Sequence, residues 1–182
     1  MNTTEMVVLL DDAGAPIGEA PKATVHTTDT PLHLAFSCYL LNRSGELLLT
    51  RRSPEKKTWP GIWTNSFCGH PAPGEEFEEA IMRRARFELG TDVTRIETAL
   101  PDFRYRAMDP SGIVENEICP VYVAHIIGEL HPNPTEVADW VWVSPGLLSG
   151  ALEHTSAAFS PWLAMQFPQL LEIGAFQAGA RA

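Results

Sequence analysis

Residues 73–90 read Pro-Gly-Glu-Glu-Phe-Glu-Glu-Ala-Ile-Met-Arg-Arg-Ala-Arg-Phe-Glu-Leu-Gly. Pro73-Gly74 before this run and Gly90 after it bound a helix over Glu75–Leu89, because proline and glycine punctuate helix starts and stops. Acidic residues crowd its first turns and arginines its last, as the helix dipole favours. Phe77, Ile81, Arg84 and Glu88 follow spacings of four, three and four, so they share one face. That face begins apolar and ends charged. As a surface ion pair Arg84 and Glu88 contribute only about 0.3–0.5 kcal/mol, whereas a charged patch that continues an apolar stripe points into a site.

Immediately upstream, Trp59–Pro71 reads Trp-Pro-Gly-Ile-Trp-Thr-Asn-Ser-Phe-Cys-Gly-His-Pro. Prolines fix φ and glycines admit conformations barred to other residues, which predicts a shaped loop presenting Cys68 and His70 rather than a regular element. The same segment also fits a structural turn whose tryptophans belong to the core.

Mixed α and β structure is expected elsewhere. Met6–Leu10 and Pro16-Ile17-Gly18 form a small N-terminal hairpin about the turn at Asp11-Asp12-Ala13-Gly14. Leu32–Leu41 and Glu46–Thr50 flank turn chemistry at Asn42–Gly45 and form a second. Further strands are expected at Val93–Leu100, Ile118–Ile127 and Trp140–Val143, and helix starts at Ser144-Pro145 and Ser160-Pro161, with serine as N-cap and proline first in the helix. One domain over 1–182 is expected, with a core at about 30–170 and a tail that frays from Gly174.

Composition restricts the function classes. The chain has 182 residues, 45% of them hydrophobic, so it can bury a core without staples. Thirteen basic and twenty-three acidic residues leave a net charge of −10, which disfavours nucleic acid and anionic membranes as partners. Three cysteines are an odd number and no charged-then-apolar leader precedes them, so a reducing cytoplasm is expected. Cys38 and Cys119 lie in apolar runs and read as small buried residues.

Ligand-type residues are spread along the chain: His26, His33 and His70 upstream, Glu115 and Glu117 downstream. In an extended segment positions i and i+2 project to one side, so both glutamates can reach one ion. Imidazoles with carboxylates suit a borderline divalent metal. Lys22, Arg51, Arg52, Lys56 and Lys57 stand out in an acidic chain, with Arg84 a further member, and together they equip an anion site for a diphosphate. Arg51 and Lys57 fit a solvated face equally well.

Gly69, Glu75, Arg83, Glu88 and Gly90 match in spacing the loop-helix signature of Nudix enzymes. Arg84 stands where Nudix hydrolases carry an acidic residue and Phe87 where they carry a second glutamate, which argues against pyrophosphohydrolase chemistry. Together with Trp59–Pro71, Tyr105-Arg106 and Ser111–Glu117, these residues make the chain resemble a type I isopentenyl-diphosphate isomerase over roughly residues 5 to 170.

The resemblance implies a Nudix-type α/β (α+β) fold, a mixed sheet sandwiched by helices with an N-terminal extension. It also implies interconversion of isopentenyl and dimethylallyl diphosphates through a tertiary cation, with Cys68 on one face of the hydrocarbon and Glu117, assisted by Tyr105, on the other. By the same resemblance His26, His33, His70, Glu115 and Glu117 ligate one ion (Mn²⁺, Zn²⁺ or Mg²⁺). A second ion, Mg²⁺, bridges Glu88 and the substrate diphosphate, and Lys22, Arg52, Lys56 and Arg84 neutralise the remaining charge. Trp162 offers its π face to the cation. The expected partner is a small-molecule prenyl diphosphate, and a monomer is expected. A Nudix hydrolase and a noncatalytic Nudix-like binding module are the alternatives.

Overall fold

The computed structural model describes residues 5–177. Twelve strands and four helices alternate along them: β1 (Met6–Leu10), β2 (Pro16–Pro21), α1 (Lys22–Val25), β3 (His33–Leu34), β4 (Phe36–Leu41), β5 (Leu47–Arg52), β6 (Trp63–Thr64), β7 (Phe67–Gly69), α2 (Phe77–Leu89), β8 (Asp92–Leu100), β9 (Arg104–Met108), β10 (Val114–Ile118), β11 (Val121–Ile127), β12 (Val137–Val143), α3 (Pro145–Thr155) and α4 (Pro161–Glu172).

The strands form two mixed sheets. The first has the order β2-β1-β3-β10-β9 and the second β12-β5-β4-β11-β8, with β6 on β5 and β7 on β4. Two chain segments cross between them side by side. The segment expected as one strand over Ile118–Ile127 is two strands in different sheets, because Pro120 lacks an amide hydrogen and cannot continue a ladder. Its neighbour breaks in parallel at Ala35, where Ala35 N–H donates to Ile118 O at 2.9 Å.

The second sheet is sandwiched as its period-two pattern requires. Phe36, Cys38, Leu40 and Leu48 turn one way and pack on Ala80, Ile81, Ala85 and Leu89 of α2. Tyr39, Leu41, Leu47 and Leu49 turn the other way, onto Leu148 of α3 and Trp162, Leu163, Phe167 and Leu170 of α4. Cys38 and Cys119 are buried. Serines cap both C-terminal helices, Ser144 for α3 and Ser160 for α4, each accepting from the main-chain N–H three residues on.

Two details depart from expectation. The helix begins at Phe77, because Glu75 is turned back to accept Ala72 N–H at 2.8 Å and Arg83 Nε–H at 2.7 Å. Gly174–Gln177 lies within the stretch expected to fray, yet Phe176 stacks on Phe167 with ring centroids 5.5 Å apart. Residues 178–182 lie outside the described residues.

Candidate active site

The sheet junction assembles the site by register alone. Glu117 of β10 pairs with His33 of β3 on one side and Tyr105 of β9 on the other. On β7, Cys68 pairs with Ser37 of β4. Cys68 therefore sits at the centre of a three-residue strand and not on a loop. Phe67 fills the core on one side of that strand, so the alternation turns Cys68 the other way. Gly69 then has to pass the helix closely. A Cβ there meets Arg84 Cγ at 2.7 Å and two Phe36 ring atoms at 2.9 Å.

His26, His33, His70 and Glu117 converge, each offering one ligand atom within 4.8 Å of the others, and all four are buried. Glu115 adjoins the group, its Oε2 being 3.0 Å from His26 Nε2. Protein hydrogen bonds leave four atoms of this buried group without a partner: His26 Nε2, His33 Nε2, His70 Nδ1 and Glu115 Oε2. At that burial each orphaned polar atom costs about 1–3 kcal/mol, so these four atoms call for a partner that the protein's own groups do not supply. His33 Nδ1 lies 2.9 Å from Pro31 O, a carbonyl that accepts only, so Nδ1 carries the hydrogen and Nε2 keeps its lone pair inward. Burial pushes His70 down to about 4, so its ring is neutral near pH 7. At His33 the burial penalty is outweighed by Glu117, which raises it. Burial would raise Glu117, but the adjoining His33 and His70 rings, with His70 Nε2 3.1 Å from its Oε1, hold it well below the ordinary carboxylate range. The neutral His70 ring, the inward Nε2 of His33 and an ionised carboxylate belong to the donor set a divalent cation takes.

A cavity of about 570 Å³ opens beside this group, and Cys68, Tyr105, Glu115, Glu117 and Trp162 are among the residues that line it. Burial pushes the Cys68 thiol up to about 11 and, with Glu117, lifts Tyr105 well above an ordinary phenol, so both keep their protons near neutrality. Tyr105 and Trp162 have ring centroids 5.8 Å apart.

Lys22 and Lys56 line the cavity, and buried Arg84 and Glu88, outside its lining, adjoin them. Lys22 Nζ lies 3.0 Å from Glu5 Oε2, Arg84 Nη1 3.7 Å from Glu5 Oε1 and Arg84 Nη2 3.6 Å from Glu136 Oε2. Lys56 pairs with Glu136, and Arg84 with Glu88. Burial would raise Glu88, and Arg84 with Lys56 overcomes it to lower the carboxyl instead. Lys22, Lys56 and Arg84 thus come together as the sequence led us to expect, while Arg52 is engaged differently. Its guanidinium donates to Thr58 O at 2.8 Å and Trp59 O at 3.2 Å and lies over the Trp162 ring at 5.6 Å from the centroid. Of the cations left open, Lys57 donates to His26 O and lines the cavity, and Arg51 donates to Gly61 O outside it.

Glu5 and Glu136 belong to this cluster and were missed by sequence reading. Neither lies in a motif; only the excess of cations around an acidic chain hinted that carboxylates would have to balance them. Asp109 was missed too, although Asp109-Pro-Ser-Gly is a legible turn. Its Oδ2 accepts Trp59 N–H at 3.3 Å, holding that residue at φ 43.

The NUDIX domain model matches residues 31–163. An isopentenyl-diphosphate Delta-isomerase of Paenarthrobacter aurescens (strain TC1) is 77% identical, with 100% of both chains covered. The chain belongs to the isopentenyl-diphosphate Delta-isomerase family within the Nudix superfamily. An isopentenyl-diphosphate Delta-isomerase of Clavibacter michiganensis subsp. michiganensis is 59% identical over 92% of this chain and 86% of its own. Among solved structures, the protein DR0079 from Deinococcus radiodurans superposes with a TM-score of 0.69 at 22% identity, covering 91% of this chain and 98% of that one. The mixed sheets with flanking helices are therefore the Nudix fold. In the Nudix helix of this family member, Arg84 turns inward to Glu88, and exposed Phe87 lies beneath the Arg84 guanidinium at 4.9 Å.

Proposed function

We infer that this chain is an isopentenyl-diphosphate Delta-isomerase that interconverts isopentenyl and dimethylallyl diphosphates by adding a proton at one carbon and removing one at another. The observation that carries the reading is one cavity holding a thiol and a carboxylate–phenol pair beside a buried His/Glu group. Protonating an unactivated alkene passes through a tertiary cation, so an acid and a base must flank the hydrocarbon. Cys68 takes one face, and Glu117 with Tyr105 the other. The proton leaves S–H or the Glu117 side for a terminal carbon, and the opposite group receives the proton lost from the neighbouring methylene.

His26, His33, His70, Glu115 and Glu117 would hold one divalent ion (Mn²⁺, Zn²⁺ or Mg²⁺). When bound, such an ion would take the imidazole lone pairs and orient Glu117. Glu88 would share a Mg²⁺ with the diphosphate, whose remaining charge is met by Lys22, Lys56 and Arg84, with Arg52 at the edge of the cluster. Trp162 presents a π face to the cation, an interaction of about 2 kcal/mol when desolvated. Trp162 and Tyr105 on the cavity wall keep water from capturing the cation as an alcohol. A prenyl diphosphate is the proposed partner, the protein acting as a monomer. Among the described residues no helix is long and apolar enough to cross a membrane, and the three unpaired cysteines fit a reducing cytoplasm.

The test is isopentenyl diphosphate with Mg²⁺ in D₂O. Dimethylallyl diphosphate carrying deuterium at carbon, with slow deuteration of the recovered substrate and no orthophosphate, is expected. Release of phosphate without carbon deuteration would replace this reading with the hydrolase. The hydrolase finds little support in Arg84 and Phe87, which supply no carboxylate for metal or water.

A further inference from the structure

Behind the cavity wall, Asn65 is completely buried and outside the set of residues lining the cavity. Both hydrogens of its amide are committed to main-chain carbonyls, Nδ2 donating to Cys38 O at 3.0 Å and Phe67 O at 2.9 Å. Carbonyls only accept, so the orientation of the amide is fixed and Oδ1 must face the other way. There it accepts the Trp162 indole N–H at 2.9 Å and the Cys68 S–H at 3.3 Å. Thr64 O–H also approaches Oδ1 at 2.9 Å but lies equally close to Ser160 Oγ, so it has a second acceptor. Indole N–H and thiol have none so well placed in common. One carbonyl oxygen, rooted in the main chain of β4 and β7, sets where the sulfur and the indole stand relative to each other.

We propose that Asn65 is a positioning residue for isomerisation. By taking the Trp162 N–H and the Cys68 S–H on one oxygen, it holds the proton-transfer group and the cation-facing ring in fixed relation about the same carbon skeleton. The proposal rests on the isomerase reading given above. Ser37 supports the same geometry from the other side: its hydroxyl lies 3.4 Å from Cys68 Sγ and accepts Gln166 Nε2–H at 3.0 Å. A serine at position 65 is too short to span from the two carbonyls to both donors. An aspartic acid keeps the shape and Oδ1, and burial favours its neutral form, which retains one donor.

Because Asn65 touches neither the cavity nor the cation cluster, its loss should fall on turnover and not on substrate binding. The experiment compares wild type, Asn65→Ser, Asn65→Asp and Trp162→Phe, each with its thermal melt, in steady-state isomerisation. Asn65→Ser is expected to lower kcat by roughly 10–100-fold, the cost of displacing a reacting group by a fraction of an ångström to an ångström, with KM within about threefold. Asn65→Asp should recover most of that loss. In the double variant Asn65→Ser/Trp162→Phe the losses should be less than multiplicative, since both remove the same link. A folded Asn65→Ser with kcat within threefold of wild type would overturn the proposal. Should Asn65→Ser not fold, a folded Asn65→Asp with a hundredfold loss of kcat does the same, and one near wild type supports it. Failure of the wild type to isomerise at all is a different result, and it would remove the isomerase reading itself.

Discussion

Gly69 separates Cys68 from His70 and runs hard against the Nudix helix, so Gly69→Ala is a sharp probe of how sheet and helix share the site. The backbone there is not in the left-handed region, so alanine suits it conformationally and the whole effect is one of space. The new methyl would stand 2.7 Å from Arg84 Cγ and 2.9 Å from Phe36 Cε1 and Cζ. Neither neighbour can retreat cheaply. Phe36 has no solvent exposure and meets Phe67 edge to face, and the Arg84 stem is tethered by its ion pair with Glu88. Overpacking of this kind costs about 1–3 kcal/mol. At about 2–4 °C per kcal/mol for a chain of this size, the melting temperature should fall by roughly 2–12 °C. Activity should fall as well, since the same shift moves Cys68 on one side and Arg84 on the other. Calorimetry and steady-state kinetics read both. Gly150→Ala is the control: it lies within α3 with open space around it and should hold or gain up to about 1 kcal/mol. If Gly69→Ala melts within 1 °C of wild type and retains its turnover, the close packing of β7 on α2 does not constrain the site as argued.

Cys68→Ala should cost at least about 10²–10⁴-fold in isomerisation while the melt and metal content stay near wild type, and Cys38→Ala should leave turnover almost unchanged. A Cys68→Ala enzyme within a few-fold of wild type would remove Cys68 from the chemistry. His33→Gln and His70→Gln should each lower metal occupancy by elemental analysis and expose the segment around His26 to protease, because it then keeps only its bonds to Lys57, Glu115 and the β10 residues Val114 and Asn116 and loses the tie through the shared site. Unchanged occupancy in both would dissolve the shared site. Arg84→Met should cost about 3–5 kcal/mol in urea unfolding at pH 7, since it strands a buried Glu88 carboxylate. The sign with pH follows from Glu88, whose folded value lies below its unfolded one: in wild type its stabilisation is present above about pH 4.5 and is lost as pH falls through the lower folded value. In Arg84→Met the direction reverses and the deficit should shrink on acidification, so a deficit independent of pH would refute the pairing.

Legibility of the chain in sequence depended on whether local physics or register decided each feature. The helix, its Gly90 end and the serine caps of α3 and α4 were readable, because caps and breakers act within a few residues. The period-two reading of Glu115 and Glu117 rests on equally local physics, and both are buried on β10. Cys68 was read as a loop residue because its strand is three residues long and exists only by pairing with β4. The stretch Ile118–Ile127 looked continuous because hydrophobicity alone does not show that Pro120 must end a ladder and send the chain into a second sheet.

The pairings of Glu117 with His33 and Tyr105 join segments 84 and 12 residues apart, and no window of sequence contains them. Motif resemblance supplied that convergence in advance; the physical cause is the parallel crossing of β3–β4 and β10–β11. That crossing has a consequence for the chemistry. The two segments stay hydrogen-bonded through the crossing, Ala35 N–H to Ile118 O at 2.9 Å and Ser37 N–H to Pro120 O at 3.1 Å, while the strands on either side of it belong to different sheets. The site sits at this crossing, where ladders of both sheets meet. Positions along the crossing hold polar and ionisable groups whose backbones are fixed by ladders: Glu117 lines the cavity, His33 joins the buried His/Glu group, and the Ser37 hydroxyl is engaged by Gln166. A mutation that adds bulk at the crossing, at buried Ala35 with Ala35→Val for example, should therefore lower metal affinity before it lowers the melting temperature. The reverse order would show that the crossing is incidental to the site.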